Sequence, residues 1–210
     1  MEIWLDTCDE SYIHSISPLG ILEGVTTNPT ILRGQSIQFI LPALLKAQPG
    51  KVALQVTDAD AESMFNQALQ FHLISPRILI KVPTHTEGLK CMHRLAEKKI
   101  PFLATAIFTP LQSLLAFKVG AAYLAPYVGR AQDIGVDPLY LLKSMQSIKN
   151  VYGFKGKVLA ASLRSLTLVE TCSELGIEAV TLRPALLEEW LMSYSVPGTG
   201  YDIAHKLTVS

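Results

Sequence analysis

Short runs of apolar and β-branched residues alternate along the chain with longer stretches in which apolar positions recur at helical spacing. The first unit predicts a strand over Ile3–Asp6 and a helix over Ser11–Ser17. The rhythm repeats as strand Gly24–Asn28 with helix Ile37–Lys46, strand Val52–Val56 with helix Ala61–Phe71, and strand Ile78–Val82 with helix Glu87–Lys98. The second half predicts strand Phe102–Ile107 with helix Pro110–Phe117, strand Tyr123–Val128 with helix Pro138–Ile148, strand Val158–Ser162 with helix Ser165–Leu175, and strand Ala179–Leu182 with helix Ala185–Ser193. Gly120, Gly156 and Gly176 each stand just before a strand, where the preceding helix must end and the chain turn.

Strands alternating with helices predict a parallel sheet, and about eight such units suit closure better than an open doubly wound sheet. The expected fold is α/β, a single (β/α)8 TIM barrel over residues 1–195, with the tail 196–210 adding a turn and a short C-terminal helix to the same domain. A chain of 210 residues suits one such core. Hydrophobic residues at 49% against charged residues at 17% require that much of it be buried.

Alternate residues of a barrel strand point into the lumen and out toward the helices. In Ile78–Val82, Leu79 and Lys81 share the face opposite Ile78, Ile80 and Val82, so Lys81 is predicted to point inward. The same parity sets Gln55 against Leu54 and Val56, Thr105 against Phe102 and Ala104, and Ser162 against Leu159 and Ala161. Asp6, Asn28, Gln55, Lys81, Thr105, Tyr127 and Ser162 all stand near the C-terminal ends of their strands, the end on which barrel enzymes build active sites.

Each of these residues also has a plainer reading. A strand-end Ser or Thr caps turns, Asn28 before Pro29 initiates one, and Tyr127 alone is a core residue. Lys81 is harder to dismiss, because a lysine inside Ile-Leu-Ile-Lys-Val is costly to bury unless it snorkels out at an edge. An amine held among apolar side chains is a candidate nucleophile toward a ketone. Arg130 follows Tyr127-Val128-Gly129 and Arg164 follows Ser162-Leu163, which sets two guanidiniums and a hydroxyl at the mouth of strands six and seven, where barrels hold phosphate. A solvated surface arginine is the plainer alternative for each.

Charge narrows the partners. Lys and Arg balance Asp and Glu at 18 each, and no basic stripe is interleaved with aromatics, so neither nucleic acid nor a membrane is an expected partner. Cys8, Cys91 and Cys172 are an odd number, widely spaced and without CxxC, which suits free thiols in a reducing compartment and not a metal site. The opening Met1–Asp6 lacks the features of a signal peptide, and no apolar run is long enough for a membrane span, so the expected location is the cytoplasm.

Asp6-Thr7, the run Gly24–Pro29, Lys81-Val82-Pro83 with Glu87-Gly88-Leu89, the run Ala125–Arg130 and the run Leu159–Ser162 resemble, in order and spacing, the small transaldolase and fructose-6-phosphate aldolase family. The resemblance runs from Glu2 to about Arg183, and Thr-Thr-Asn-Pro together with Lys-Val-Pro is its most specific part. It implies a Schiff-base enzyme acting on a sugar phosphate, with no metal or organic cofactor. By resemblance Lys81 is the Schiff-base lysine, Asp6 a proton-handling or positioning carboxylate, and Asn28 a hydrogen-bond partner near the lysine and substrate. Gln55, Thr105 and Tyr127 match positions that hold a catalytic water, while Arg130, Ser162 and Arg164 match phosphate-binding positions and Thr26 joins the substrate-binding set.

Within the family, transaldolases resemble one another in carrying Glu and Phe where this chain has Gln55 and Tyr127, and the aldolases carry Gln and Tyr. The resemblance therefore favours a lyase that cleaves fructose 6-phosphate to dihydroxyacetone and glyceraldehyde 3-phosphate. A transaldolase moving a dihydroxyacetone unit from fructose or sedoheptulose phosphate to an aldose phosphate is the second reading, and a non-catalytic sugar-phosphate-binding barrel the third. Three departures stand out. Gly129 replaces an Asn common in the aldolases, the loop Ala131–Asp137 looks more like the transaldolase side, and Arg183 stands where neither type usually has an arginine. The family also implies a homo-oligomer, a pentamer or decamer, although this tail is short for the terminal helix that laces such rings.

Overall fold

Eight parallel strands close into a barrel in sequence order, with β8 pairing back onto β1. The computed structural model describes residues 1–33 and 35–193. Its elements are β1 (Glu2–Asp6), α1 (Glu10–Ile16), β2 (Leu22–Thr26), α2 (Ile37–Ala47), β3 (Lys51–Gln55), α3 (Ala61–Ile74), β4 (Ile78–Pro83), α4 (Thr86–Glu97) and β5 (Phe102–Ile107). They continue with α5 (Pro110–Lys118), β6 (Tyr123–Pro126), α6 (Val128–Asp133), α7 (Pro138–Tyr152), β7 (Lys157–Ala160), α8 (Leu166–Glu174), β8 (Ala179–Leu182) and α9 (Pro184–Met192). The fold is thus a (β/α)8 TIM barrel. The short helix expected within 196–210 lies outside the described residues.

The helices begin where the chain supplies caps. Asp9, Asp60 and Ser165 each accept a backbone N–H three residues on, and Thr109 with Gln112 forms a reciprocal capping box ahead of Pro110. No helix among the described residues is long and apolar enough to cross a membrane.

Strand parity sorts the apolar residues into two layers. Leu5, Val25, Leu54, Ile80, Phe102 and Val158 pack outward against the helices. Trp4, Ala53, Leu79, Leu103, Tyr123 and Leu159 fill the lumen instead. The lumen is plugged at its N-terminal end, where Trp4 and Tyr123 meet edge to face at 5.5 Å. Glu2 accepts hydrogen bonds there from Trp4 Nε1 at 3.2 Å, from the Tyr123 hydroxyl at 3.0 Å and from Lys157. Burial works to raise the Glu2 carboxyl, and those hydrogen bonds outweigh it, leaving the group below its ordinary range. With the floor closed, ligand access is at the C-terminal mouth.

Four sequence expectations shift. The second strand ends at Thr26, not Asn28, because Asn28 Oδ1 turns back to accept from Thr30 N and Ile31 N, both at 3.0 Å. The sixth strand ends at Pro126, and Val128–Asp133 forms a short helix where a strand end and a loop were expected. The seventh strand ends at Ala160, short of Ser162. Helix α7 is closed by Gly153 in the left-handed region at φ 67, not by Gly156. Gly156 is needed for another reason, since a Cβ there would lie 2.4 Å from the Ala121 carbonyl oxygen.

Candidate active site

A cavity of about 290 Å³ sits at the C-terminal mouth, and its lining includes Asp6, Thr26, Asn28, Lys81, Tyr127 and Ser162. Lys81 reaches it by the parity of β4, which puts Leu79 in the lumen layer and Ile80 in the outer one. The lysine is only 4% exposed, and its Nζ donates to the Thr27 carbonyl at 3.1 Å. It does not snorkel to the surface. Lys81 Nζ lies 5.9 Å from the centre of the Tyr127 ring, and the Arg130 guanidinium 4.8 Å from the same centre. Phe108 packs edge-on against that ring at 5.6 Å and holds its plane.

Asp6 is oriented by a chain of hydroxyls. Thr26 Oγ1 donates to Asp6 Oδ1 at 2.8 Å and lies 2.7 Å from Thr181 Oγ1. A hydroxyl has one hydrogen, so Thr181 is the donor to Thr26. Thr181 was missed by the sequence reading, yet it is the lone polar residue of Ala179-Val180-Thr181-Leu182 and shares the inward parity of Ala179. Asn28 lines the cavity, but its side-chain oxygen is engaged in the turn, and Lys81 bonds the backbone of Thr27 where a contact with Asn28 was expected.

Gln55 stands directly across from Lys81 in the β3–β4 register, and Thr105 across from Pro83. Both fall outside the lining of the mouth cavity. Gln55 Oε1 and Thr105 Oγ1 are nonetheless buried without a hydrogen-bond partner among the described residues. Orphaned polar atoms of this kind are uncommon in a folded interior and mark places where water or ligand completes the bonding. The register between β5 and β6 breaks between Ala104 and Ile107, and Ala106 takes φ 56. A bulge there re-aims the end of the strand beside Thr105.

Ser162 reaches the cavity by a route the parity argument did not foresee. Leu159 and Ala161, expected outward, belong to the lumen layer, which would turn Ser162 away from the mouth. The chain leaves the strand first, and Ser162 adopts φ 61, an uncommon conformation for a residue with a side chain. Strand parity stops applying where the strand ends.

Arg130, Arg164 and Arg183 complete the lining on this side, and all three are exposed. Arg164 is held by Asp133 through two hydrogen bonds of 2.6 and 2.5 Å, a forked pair that lowers the Asp133 carboxyl below its ordinary range. Gly129 makes this arrangement sterically possible, since a Cβ there would lie 2.3 Å from the Ser162 carbonyl oxygen and 2.8 Å from Arg164 Nε. No group of three His, Cys, Asp or Glu suited to a metal ion occurs among the described residues. Cys91 and Cys172 are buried in the outer core, away from the cavity lining.

Solved structures with a similar backbone include a mandelate oxidase variant with an FMN adduct and a flavocytochrome b2 double mutant with sulfite bound. Both have a TM-score of 0.62 at 14% identity, covering 91% and 87% of this chain. The chain spans only 66% and 56% of those longer proteins, and the likeness speaks to the barrel alone. Sequence relatives are nearer. A probable transaldolase of Streptococcus equi subsp. zooepidemicus is 35% identical over 184 residues, 87% of this chain and 86% of the relative. A probable transaldolase 2 of Listeria monocytogenes is 34% identical over 204 residues, 96% of this chain and 93% of the relative. Residues 3–206 match the family described as Transaldolase/Fructose-6-phosphate aldolase. With a buried lysine and a carboxylate at the mouth of a closed barrel, and that match along nearly its whole length, the chain belongs to the transaldolase/fructose-6-phosphate aldolase family.

Proposed function

We propose that the protein is a Schiff-base aldolase that breaks or makes the C3–C4 bond of a ketose phosphate, with fructose 6-phosphate as the donor. The observation that carries this reading is Lys81, 4% exposed, lining one cavity with the Asp6 carboxylate, the Tyr127 ring and three arginines. Lys81 Nζ attacks the C2 ketone, and loss of water from the carbinolamine leaves an iminium. Asp6 takes the proton of the C4 hydroxyl, the C3–C4 bond breaks, and its electron pair moves into the iminium to give an enamine. Glyceraldehyde 3-phosphate departs from the side lined by Arg130, Ser162 and Arg164. Thr26 holds Asp6 in place, and Asn28 faces the substrate from the β2 end.

The enamine then meets a proton or an aldehyde. Gln55 and Thr105, with unpartnered buried oxygens, suit a bound water beside the lysine, and the Tyr127 hydroxyl can pass a proton through it to C3. Hydrolysis of the resulting imine releases dihydroxyacetone. That route makes the protein a lyase that needs no acceptor. A transaldolase is the second reading, supported by the Streptococcus and Listeria relatives, which are described as probable transaldolases. A homo-oligomer is also proposed, since Phe39 and Leu73 are 81% and 84% exposed and self-association would cover such residues.

The experiment is to incubate the protein with fructose 6-phosphate alone, follow glyceraldehyde 3-phosphate by a coupled assay, and repeat with erythrose 4-phosphate. Sustained turnover without acceptor supports the aldolase. Turnover only with acceptor means a transaldolase, and an absence of turnover in both, with no borohydride-trapped adduct on Lys81, leaves a binding barrel.

A further inference from the structure

Three arginines line the cavity, and they are not equivalent. Arg164 is committed: both of its terminal nitrogens donate to Asp133, one to each carboxylate oxygen, which neutralises its charge and fixes its fork. Arg130 lies against the Tyr127 ring, where the face of an aromatic orients a guanidinium without consuming its charge. Arg183 makes no side-chain hydrogen bond, ion pair or ring contact among the described residues. Asp6 lines the same cavity but forms no ion pair with it.

The placement of Arg183 follows from the strand order. In the β1–β8 register Leu5 faces Leu182, so Arg183 continues β8 beside Asp6 on one side and beside the β7 end, with Ser162, on the other. Its backbone is the N-cap of α9, and its carbonyl accepts from Leu186 N and Leu187 N. The side chain therefore springs from an anchored position and projects a multiply donating cation, unneutralised among the described residues, into a cavity that already holds Arg130. A phosphoryl dianion is the anion such a pair fits, since it offers three oxygens and a charge that one free guanidinium does not balance.

Resting on the sugar-phosphate reading above, we infer that Arg183 is a specificity-determining residue that clamps the substrate phosphoryl group together with Arg130, while Arg164, tied to Asp133, serves as a buttress for the Ser162 turn. Anion recognition here depends on the end of β8 as well as on the loops after β6 and β7. The enzyme discriminates phosphorylated from unphosphorylated aldehydes through that pair.

The test uses the full-length protein and its Arg183→Ala, Arg183→Lys and Arg164→Ala variants, with inorganic phosphate as the probe in equilibrium titrations and as a competitive inhibitor. Arg183→Ala is expected to weaken phosphate binding by roughly tenfold, more than Arg164→Ala does, with Arg183→Lys in between. In steady state, Arg183→Ala raises KM for fructose 6-phosphate by a similar factor with a smaller change in kcat. It also lowers the preference for glyceraldehyde 3-phosphate over glyceraldehyde in the synthetic direction. Equal phosphate affinity in wild type and Arg183→Ala overturns the role of Arg183 and leaves the sugar-phosphate site standing. No phosphate binding by the wild type overturns both. A loss in kcat alone, with phosphate affinity intact, also overturns the clamp.

Discussion

Thr26 donates its hydroxyl hydrogen to Asp6 Oδ1 at 2.8 Å, and so fixes a carboxylate that lines the same cavity as Lys81. Thr26 is 2% exposed, so removing its hydroxyl takes from Asp6 a hydrogen bond made inside the barrel and leaves the Thr181 hydroxyl without its acceptor. Thr26→Val is expected to lower kcat roughly 10- to 100-fold, the equivalent of about 1.5–3 kcal/mol for a hydrogen bond to a charged group. Thr26→Ser should recover most of it. A Thr26→Val enzyme with normal kcat would show that Asp6 needs no orientation.

Lys81→Met keeps the length and apolar stem of the side chain and removes the amine. The variant should remain folded, since it exchanges a buried polar group for an apolar one of similar volume. Borohydride reduction in the presence of fructose 6-phosphate should add the mass of a reduced adduct to the wild type and nothing to Lys81→Met. An adduct on another lysine would move the nucleophile elsewhere.

Gly129→Ala places a methyl group 2.3 Å from the Ser162 carbonyl and 2.8 Å from Arg164 Nε. Either the Ser162 turn or the Arg164–Asp133 fork must yield. The expected cost is about 1–3 kcal/mol in unfolding free energy, with a rise in KM for the phosphorylated substrate. A crystal structure of the variant with the Ser162 turn unmoved would contradict the account. Gly129→Asn, with a larger side chain at the same close approach, should be worse still.

The barrel was legible because β-branched strands and helical stretches alternate about eight times, and Lys81 was legible because parity holds through the middle of β4. Legibility failed where a strand ends. Ser162 was placed in the cavity for the wrong reason, since the chain has left β7 before it and turns through φ 61, which no alternation encodes. Helix α6 was hidden because it is a single short segment with Gly129 near its start, too brief for periodicity to register. Asp133, which neutralises Arg164, was invisible for the same reason, because it lay in what read as a loop. Thr181 was readable but weak, one hydroxyl in a strand of apolar residues.

Burial pushes the Cys91 thiol up to about 11 and the Cys172 thiol up to about 12, from an ordinary value of 9.0. The native state thus favours the neutral thiols more than the unfolded chain does. Their stabilising contribution is complete below pH 9.0 and is lost as pH rises from there toward about 11 and 12. Tyr12, raised by burial to about 12, acts in the same direction at higher pH. Urea midpoints should hold between pH 7 and 8 and fall progressively above 9, and Cys172→Ala should show a shallower alkaline decline. A midpoint that stays flat to pH 10.5 would mean that these thiols titrate alike folded and unfolded.

Tyr127→Phe isolates the phenol hydroxyl from everything else the residue does. The ring packs on Phe108 at 5.6 Å and underlies Arg130 at 4.8 Å, and both contacts survive the change. What is lost is the hydroxyl proposed to carry a proton to the enamine. General acid catalysis of this kind is worth about 10²–10⁴-fold, so turnover of fructose 6-phosphate alone should fall by something in that range. Attack of the enamine on erythrose 4-phosphate proceeds through carbon–carbon bond formation and needs no proton at C3, so transfer should fall far less. The ratio of transfer to hydrolysis is the decisive quantity, because a general loss of packing or of phosphate binding lowers both rates together and leaves it unchanged. A ratio that rises by an order of magnitude assigns the fate of the enamine to this one hydroxyl. A ratio that does not move places the proton donor elsewhere, with the buried oxygens of Gln55 and Thr105 as the next groups to substitute.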